Sequence, residues 1–244
     1  MPSYPAYHTA YETFNLVAGH VDPAFRAHQS CARLLSVLLY SLSSATLLPA
    51  RFDELAEQLQ ADYGARGLGA RLRARLGPAK ETTTTADEKN GKLKEAIDLL
   101  EASIVDFGNA STAWHQFTEK ASKNFSLDPL LVRSINDVSV QVEKVFTSSS
   151  SGAPLYGRPD TRNLLLGTPA SDFYTTVFFP GLHDLLEQLA AAETIGQRRN
   201  GANHEELRMS EAKIRQLTGR LRRHLSEITV AFRAAVRLMR PRPI

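Results

Sequence analysis

Residues 202–240 read ANHEELRMSEAKIRQLTGRLRRHLSEITVAFRAAVRLMR, and this stretch decides the fold. Leu207, Ile214, Leu221, Ile228 and Ala235 recur every seven residues, with Leu217, Leu225, Phe232 and Met239 filling the half-turns between them. That spacing draws one apolar stripe along a helix of about 55 Å at 1.5 Å per residue. Asn203 is placed to cap the start, Glu205, Glu206 and Glu211 lie near the positive end of the dipole, and Arg233, Arg237 and Arg240 lie near the negative end. Pro241 and Pro243 stop it. A helix with such a stripe does not stay folded alone in water, so other helices must lie along it.

Those helices are visible upstream. Leu93, Ile97, Leu100, Ile104 and Phe107 follow a 4-3-4-3 spacing that continues through Trp114, Phe117 and Ala121, which predicts a helix over 92–124. Asp128-Pro129 restarts the chain, and Leu131, Ile135, Val138, Val142 and Val145 repeat the pattern over 129–146. Asp172 is read as the cap of a further helix, broken at Pro180-Gly181 and resumed through Leu182, Leu185, Leu186, Leu189 and Ile195 to the turn Gly196–Gly201. Nearer the N-terminus, Asp22-Pro23 opens a helix expected to run to about Leu48. It is apolar nearly all round, which places it, with Cys31, in the middle of a bundle. Residues 51–63 carry Phe52, Leu55 and Leu59 on one face, and a short basic piece with Leu68, Leu72 and Leu76 follows.

Two stretches lack a core residue or a period. Residues 78–91, PAKETTTTADEKNG, read as a linker, and residues 147–171 as a long loop in which Leu164, Leu165 and Leu166 need burial. Residues 1–21 read as an extended arm or tail. The sum is an all-α protein, an elongated antiparallel helical bundle of five to seven helices with two long loops and no strand. Its expected divisions are 1–77 (arm and apolar helices), 78–91 (linker) and 92–244 (main bundle), with one single domain as the alternative.

Composition sets the class. The chain has 244 residues, 43% hydrophobic and 23% charged, with net charge +3 and one cysteine. This describes a globular chain with a core, mildly basic and without an internal disulfide. The start has no signal-peptide pattern. Leu34–Leu48 is too short and too rich in Ser and Thr to span a bilayer, so a cytoplasmic location is expected.

Chemistry is harder to find. None of the seven histidines belongs to HExxH, and none follows a glutamate by three residues. His183, Asp184 and Glu187 share one helical turn and read as a solvated polar face rather than a cation site. His224 reads as a residue at the edge of the apolar stripe. There is no nucleophile elbow and no phosphate-binding loop. No metal and no cofactor are expected, and the chain is expected not to be an enzyme.

What remains is basic. Arg215, Arg222 and Arg233 are spaced by 7 and 11 residues, with Arg237 and Arg240 extending the row, and together they are the candidate contacts for an anion or phosphate. The alternative is a solvated face paired with Glu95 and Glu101 of a neighbouring helix. The expected function is that of a non-catalytic structural or interaction protein, coiled-coil-like, that associates with itself or a protein partner through apolar helix faces. Two alternatives stand beside it: a helical bundle acting on an anionic membrane through 34–48 and the basic C-terminus, and a nucleic-acid-associated coat or packaging protein.

Overall fold

A computed structural model describes residues 5–64, 67–76, 84–123, 128–147, 155, 157–158, 160–198 and 204–240, with side chains over the same residues except 84–90, 195–198 and 204–207. The Asn203 cap, the Glu205, Glu206, Leu207 and Ile195 side chains, and the Pro241 and Pro243 stop lie outside that description. The chain forms two compact units, residues 1–49 and 50–244.

The first unit holds a short helix α1 (Phe14–Leu16), a π-type turn over Val17–Val21, a 3-10 turn over Pro23–Phe25 and helix α2 (Arg26–Ser44). Asp22 does start α2, but from further away than the Asp-Pro pair suggests. Ala24 and Phe25 take left-handed backbone angles, φ 67° and 56°, and this brings the Asp22 carboxylate back over the helix end. It accepts the N–H groups of Ala27 (3.1 Å) and His28 (3.0 Å) and contacts His28 Nδ1 at 2.6 Å. The His28 ring, and then the two backbone donors, hold the Asp22 carboxyl down to about 2. The expectation of a buried central helix is corrected here. No residue of α2 is buried, Cys31 is exposed, and Leu34, Leu35, Leu39 and Tyr40 each expose more than half their area. Nothing within this unit covers them.

The second unit is built from α3 (Phe52–Tyr63), α4 (Leu68–Ala74), α5 (Thr84–Ser122), α6 (Pro129–Lys144), α7 (Pro180–Arg198) and α8 (His204–Leu238). The chain is all-α, as its periodicity demands, with two short strands added. Helix α5 begins at Thr84, so 84–91, read as linker, are its first turns. Polar residues there extend a helix already nucleated by Leu93, Ile97 and Leu100, all buried. In α8 the expected stripe is the core: Leu217, Leu221, Leu225, Ile228, Phe232, Ala235 and Met239 are at most 1% exposed.

Direction is set by packing and connection, which a period does not encode. Phe107 meets Phe232 with ring centroids 5.3 Å apart, and one turn further along α5 the Ser111 hydroxyl lies 3.8 Å from Met239 Sδ. Both contacts advance toward the C-terminus on each helix, so α5 and α8 run parallel, while α7 returns against α8 at Ser210 and Ala192. Four phenylalanines close the centre: Phe146 touches Phe107 (6.0 Å) and Phe232 (5.1 Å), and Phe179 touches Phe232 (6.1 Å). Helix α3 comes close enough to α5 that a Cβ on Gly108 would sit 2.4 Å from Gln60 Nε2. Gly67 is compulsory in the turn before α4, since a Cβ there would meet the Asp62 carbonyl oxygen at 1.7 Å.

The segment between α6 and α7 departs furthest from the sequence reading. No helix begins at Asp172. Instead β1 (Leu166–Gly167) pairs antiparallel with β2 (Val177–Phe178), and α7 starts at Pro180 itself, where proline is best tolerated. Asp172 caps a turn by accepting the Tyr174 N–H at 2.8 Å. Leu164 and Leu165 are buried as required, whereas Leu166 is 37% exposed. Among the described residues no helix is long and apolar enough to cross a membrane.

Candidate functional site

Three features of the second unit gather polar or exposed apolar side chains: a buried ion pair under the β1–β2 segment, a basic groove between α5 and α8, and an apolar groove among α5, α6 and α8.

The ion pair joins Arg158 Nη2 to Asp184 Oδ2 at 2.9 Å, with side chains 14% and 4% exposed. Neither atom makes a hydrogen bond, so the pair is an ionic contact. Asp184 also accepts the Ala170 N–H at 2.8 Å, and Arg158 donates to the Thr168 carbonyl. These contacts tie Arg158, Thr168 and Ala170 to the start of α7. His183, Asp184 and Glu187, read as a solvated polar face, are not all solvated: Asp184 is buried, and each of the three has a partner. His183 Nδ1 lies 3.0 Å from Arg71 Nη1, and Glu187 accepts the Ser171 hydroxyl at 3.3 Å. Burial first, and the Arg71 charge second, lower the His183 pKa below 6.5. Among the described residues no group of three His, Cys, Asp or Glu is disposed to hold a metal.

His224, read as an edge residue, is in fact buried. Its Nδ1 faces Glu227 at 3.3 Å, and its Nε2 abuts Gly181, where a Cβ would stand 2.4 Å away. The sequence held no signal for the second contact, because Gly181 and His224 belong to different helices, whereas Glu227 lies one turn on in the same helix.

The basic groove has a volume of about 930 Å³. Lys92, Glu95, Ala96 and Leu99 of α5 line one wall, and Arg215, Gly219, Arg222 and Arg223 of α8 are among those lining the other. Of the five arginines singled out from sequence, it brings together only Arg215 and Arg222. Arg233 and Arg237 are exposed further along α8, and Arg240 borders the apolar groove. The expected pairing with Glu101 is not made: that carboxylate binds Arg73 of α4, which also holds Asp98 at 2.9 Å. Arg215 touches Glu211 only loosely, at 3.7 Å. Sequence reasoning missed Arg223, which lies one residue off the row.

The apolar groove, of about 340 Å³, is lined by Trp114 and Phe117 of α5, Leu130, Leu131 and Val138 of α6 and Leu238 of α8. Leu130 stands at its rim with 75% of its surface exposed.

Comparison with known proteins places these helices. Residues 89–238, more than half of the chain, match the family described as transferrin receptor-like dimerisation domain. The chain is similar to aminopeptidase NAALADL1 of Mus musculus, 33% identical over 147 residues, which are 59% of this chain and 17% of the relative. The same protein of Rattus norvegicus is 34% identical over 147 residues, with the same coverage. A probable glutamate carboxypeptidase LAMP1 of Arabidopsis thaliana is 26% identical over 211 residues, 86% of this chain and 26% of the relative. The chain thus spans about a quarter or less of the length of these relatives.

These findings correct the functional expectation. A non-catalytic structural protein outside any enzyme family does not fit relatives that are named peptidases, and neither the membrane-acting nor the nucleic-acid-packaging alternative finds support in them. A coiled-coil or structural role is likewise unsupported. Self-association is retained, because the matched family is one of dimerisation domains.

Proposed function

The chain belongs to the transferrin receptor-like dimerisation domain family, and on that premise we propose that it is the helical, self-pairing part of a peptidase of the aminopeptidase or glutamate carboxypeptidase kind. The observation that supports this is the coincidence of the matched segment, 89–238, with the helices that enclose the phenylalanine core and carry both grooves. In this reading the bond-breaking activity belongs to the protein as a whole. The second unit contributes a rigid surface on which two copies meet.

The surface best suited to a second copy is the apolar groove. Its floor is Trp114, itself 4% exposed and fixed, and its rim is Leu130, which is wet. An aromatic floor with an aliphatic rim and charged flanks, Arg133, Asp137 and Arg240, has the composition of an interface centre with a polar border. Leu130 follows Pro129 on the first turn of α6, and Asp128 holds that turn by accepting its N–H at 3.0 Å. The rim is therefore positioned before any partner arrives, which lowers the ordering cost of association.

Sedimentation equilibrium tests the pairing. The chain is expected to sediment at twice 26.9 kDa, and Leu130→Glu, which touches only exposed surface, at the monomer mass. A monomeric parent chain at high concentration overturns the proposal. The enzymatic half is tested on native protein purified from its source, by release of an N-terminal residue or of a C-terminal glutamate from short peptides. Absence of both activities overturns that half.

A further inference from the structure

The groove between α5 and α8 is not needed for the pairing just described, and its chemistry is different. We propose that it binds a compact anion carrying two or more phosphate groups.

Its lining holds Lys92, Arg215, Arg220, Arg222 and Arg223 with one carboxylate, Glu95; Lys92 and Arg220 are engaged by partners and Arg215 lies 3.7 Å from Glu211, so Arg222 and Arg223 carry the argument. Elsewhere in this unit several arginines are neutralised by neighbours. Arg51 holds Asp53 and Glu54, Arg73 holds Asp98 and Glu101, and Arg75 holds Glu193. Arg222 and Arg223 are exposed, and among the described residues neither forms an ion pair. Arg233 and Arg237 are also exposed on α8, but outside this groove, so what sets Arg222 and Arg223 apart is that they line a concave space.

The shape adds a second argument. The cations stand around a concave space of about 930 Å³ and not along a convex ridge. At Gly219, on the α8 wall, a Cβ would meet nothing within 4 Å, so the backbone there lies open to a ligand. Guanidinium groups present paired N–H donors that match phosphate oxygens two at a time. Several such forks around one concavity select for several phosphates held close together, since a single phosphate satisfies only one or two forks. Leu99, 40% exposed, gives the floor an apolar patch against which a carrier ring or chain can rest.

Titration calorimetry on the whole chain tests this with two probes, inorganic tripolyphosphate and inositol hexakisphosphate, the linear and the ring-borne form of the same chemistry. One site per chain is expected for at least one probe, and the tighter probe identifies the carrier. Affinity should fall as salt rises from about 0.1 M to 1 M, where the screening length shrinks from ~10 Å to ~3 Å. Arg222→Gln is expected to weaken binding about tenfold or more, as loss of one charge-assisted contact does, and the Arg222→Glu, Arg223→Glu pair to abolish it. Arg233→Glu with Arg237→Glu, which removes as much charge outside the groove, should leave affinity within about twofold. Thermal melts of all variants report folding, and these side chains are exposed. No binding at millimolar probe, or equal loss in the two double variants, overturns the proposal. Neither result bears on the dimer mass, so the two readings fail separately.

Discussion

Replacing Asp184 by alanine should be among the most damaging single changes in the chain. Asp184 is 4% exposed and faces Arg158, whose side chain is 14% exposed. With the carboxylate gone, a guanidinium stays buried with only the Thr168 carbonyl for company, and the Ala170 N–H loses its acceptor. Removing one partner of a buried pair costs about 3–5 kcal/mol, because the remaining charge is left uncompensated. The lost backbone contact falls within that figure, since both effects act through the same side chain. For a cooperative unit of this size, ~1 kcal/mol moves the melting point by about 2–4 °C, so the expected fall is on the order of 10 °C. Differential scanning calorimetry of the chain measures it. Arg158→Met combined with Asp184→Leu should recover most of the loss, since no charge is then stranded. Asp172→Ala, whose turn is exposed, should stay within about 2 °C of the parent. If Asp184→Ala melts with the parent, or the double variant is worse than the single, the brace under the β1–β2 segment is not what holds it.

The same packing sets four further outcomes. Phe232→Ala removes a ring in contact with Phe107, Phe146 and Phe179 and should cost about 3–5 kcal/mol in denaturant unfolding. Gly67→Ala should destabilise strongly, because the added carbon meets main-chain oxygen that has no room to move, and a calorimetric melt unchanged from the parent would contradict it. His183 has a folded pKa below its ordinary 6.5, so between those values the unfolded chain binds more protons than the native one. The stability it contributes is therefore present above about pH 6.5 and is lost as pH falls toward the folded value, and His183→Gln should flatten that part of the stability profile. Gly181→Ala should lower the melting point by forcing its new methyl against His224 and Leu155, and Gly181→Ala combined with His224→Ala should lose less than the two changes summed.

The long helices were legible because their burial is written in one chain segment at a time. Leu217, Leu221, Leu225 and Phe232 show their stripe without knowledge of any neighbour, and so do Leu93, Ile97 and Leu100. What was not legible depends on pairs. The parallel course of α5 and α8 rests on Phe107 meeting Phe232, and no period records which way a partner runs. The two-residue strands are too short to alternate, and they form because Leu164 and Leu165 must be buried and the Leu165 carbonyl accepts the Phe179 N–H. Helix α2 misled for the opposite reason: its apolar residues are real, but a hydrophobic run says only that it needs a cover, not that its own unit supplies one. The candidate sites follow the same division. The arginine row was visible as spacing, whereas its concavity, its member Arg223 and the diversion of Glu101 to Arg73 all come from a second helix. Family membership left no mark in any motif, because a pairing surface is an arrangement of ordinary Leu, Trp and Phe.

The central claim is that two copies meet at the α5–α6–α8 groove, and site-directed cross-linking tests it most directly. With the exposed Cys31 replaced by serine, a cysteine at Arg133, on the groove's border, should join two copies through a short bismaleimide in high yield, and one at Arg223 should not. Equal yields at the two positions, or cross-linking at Arg223 alone, would contradict the account.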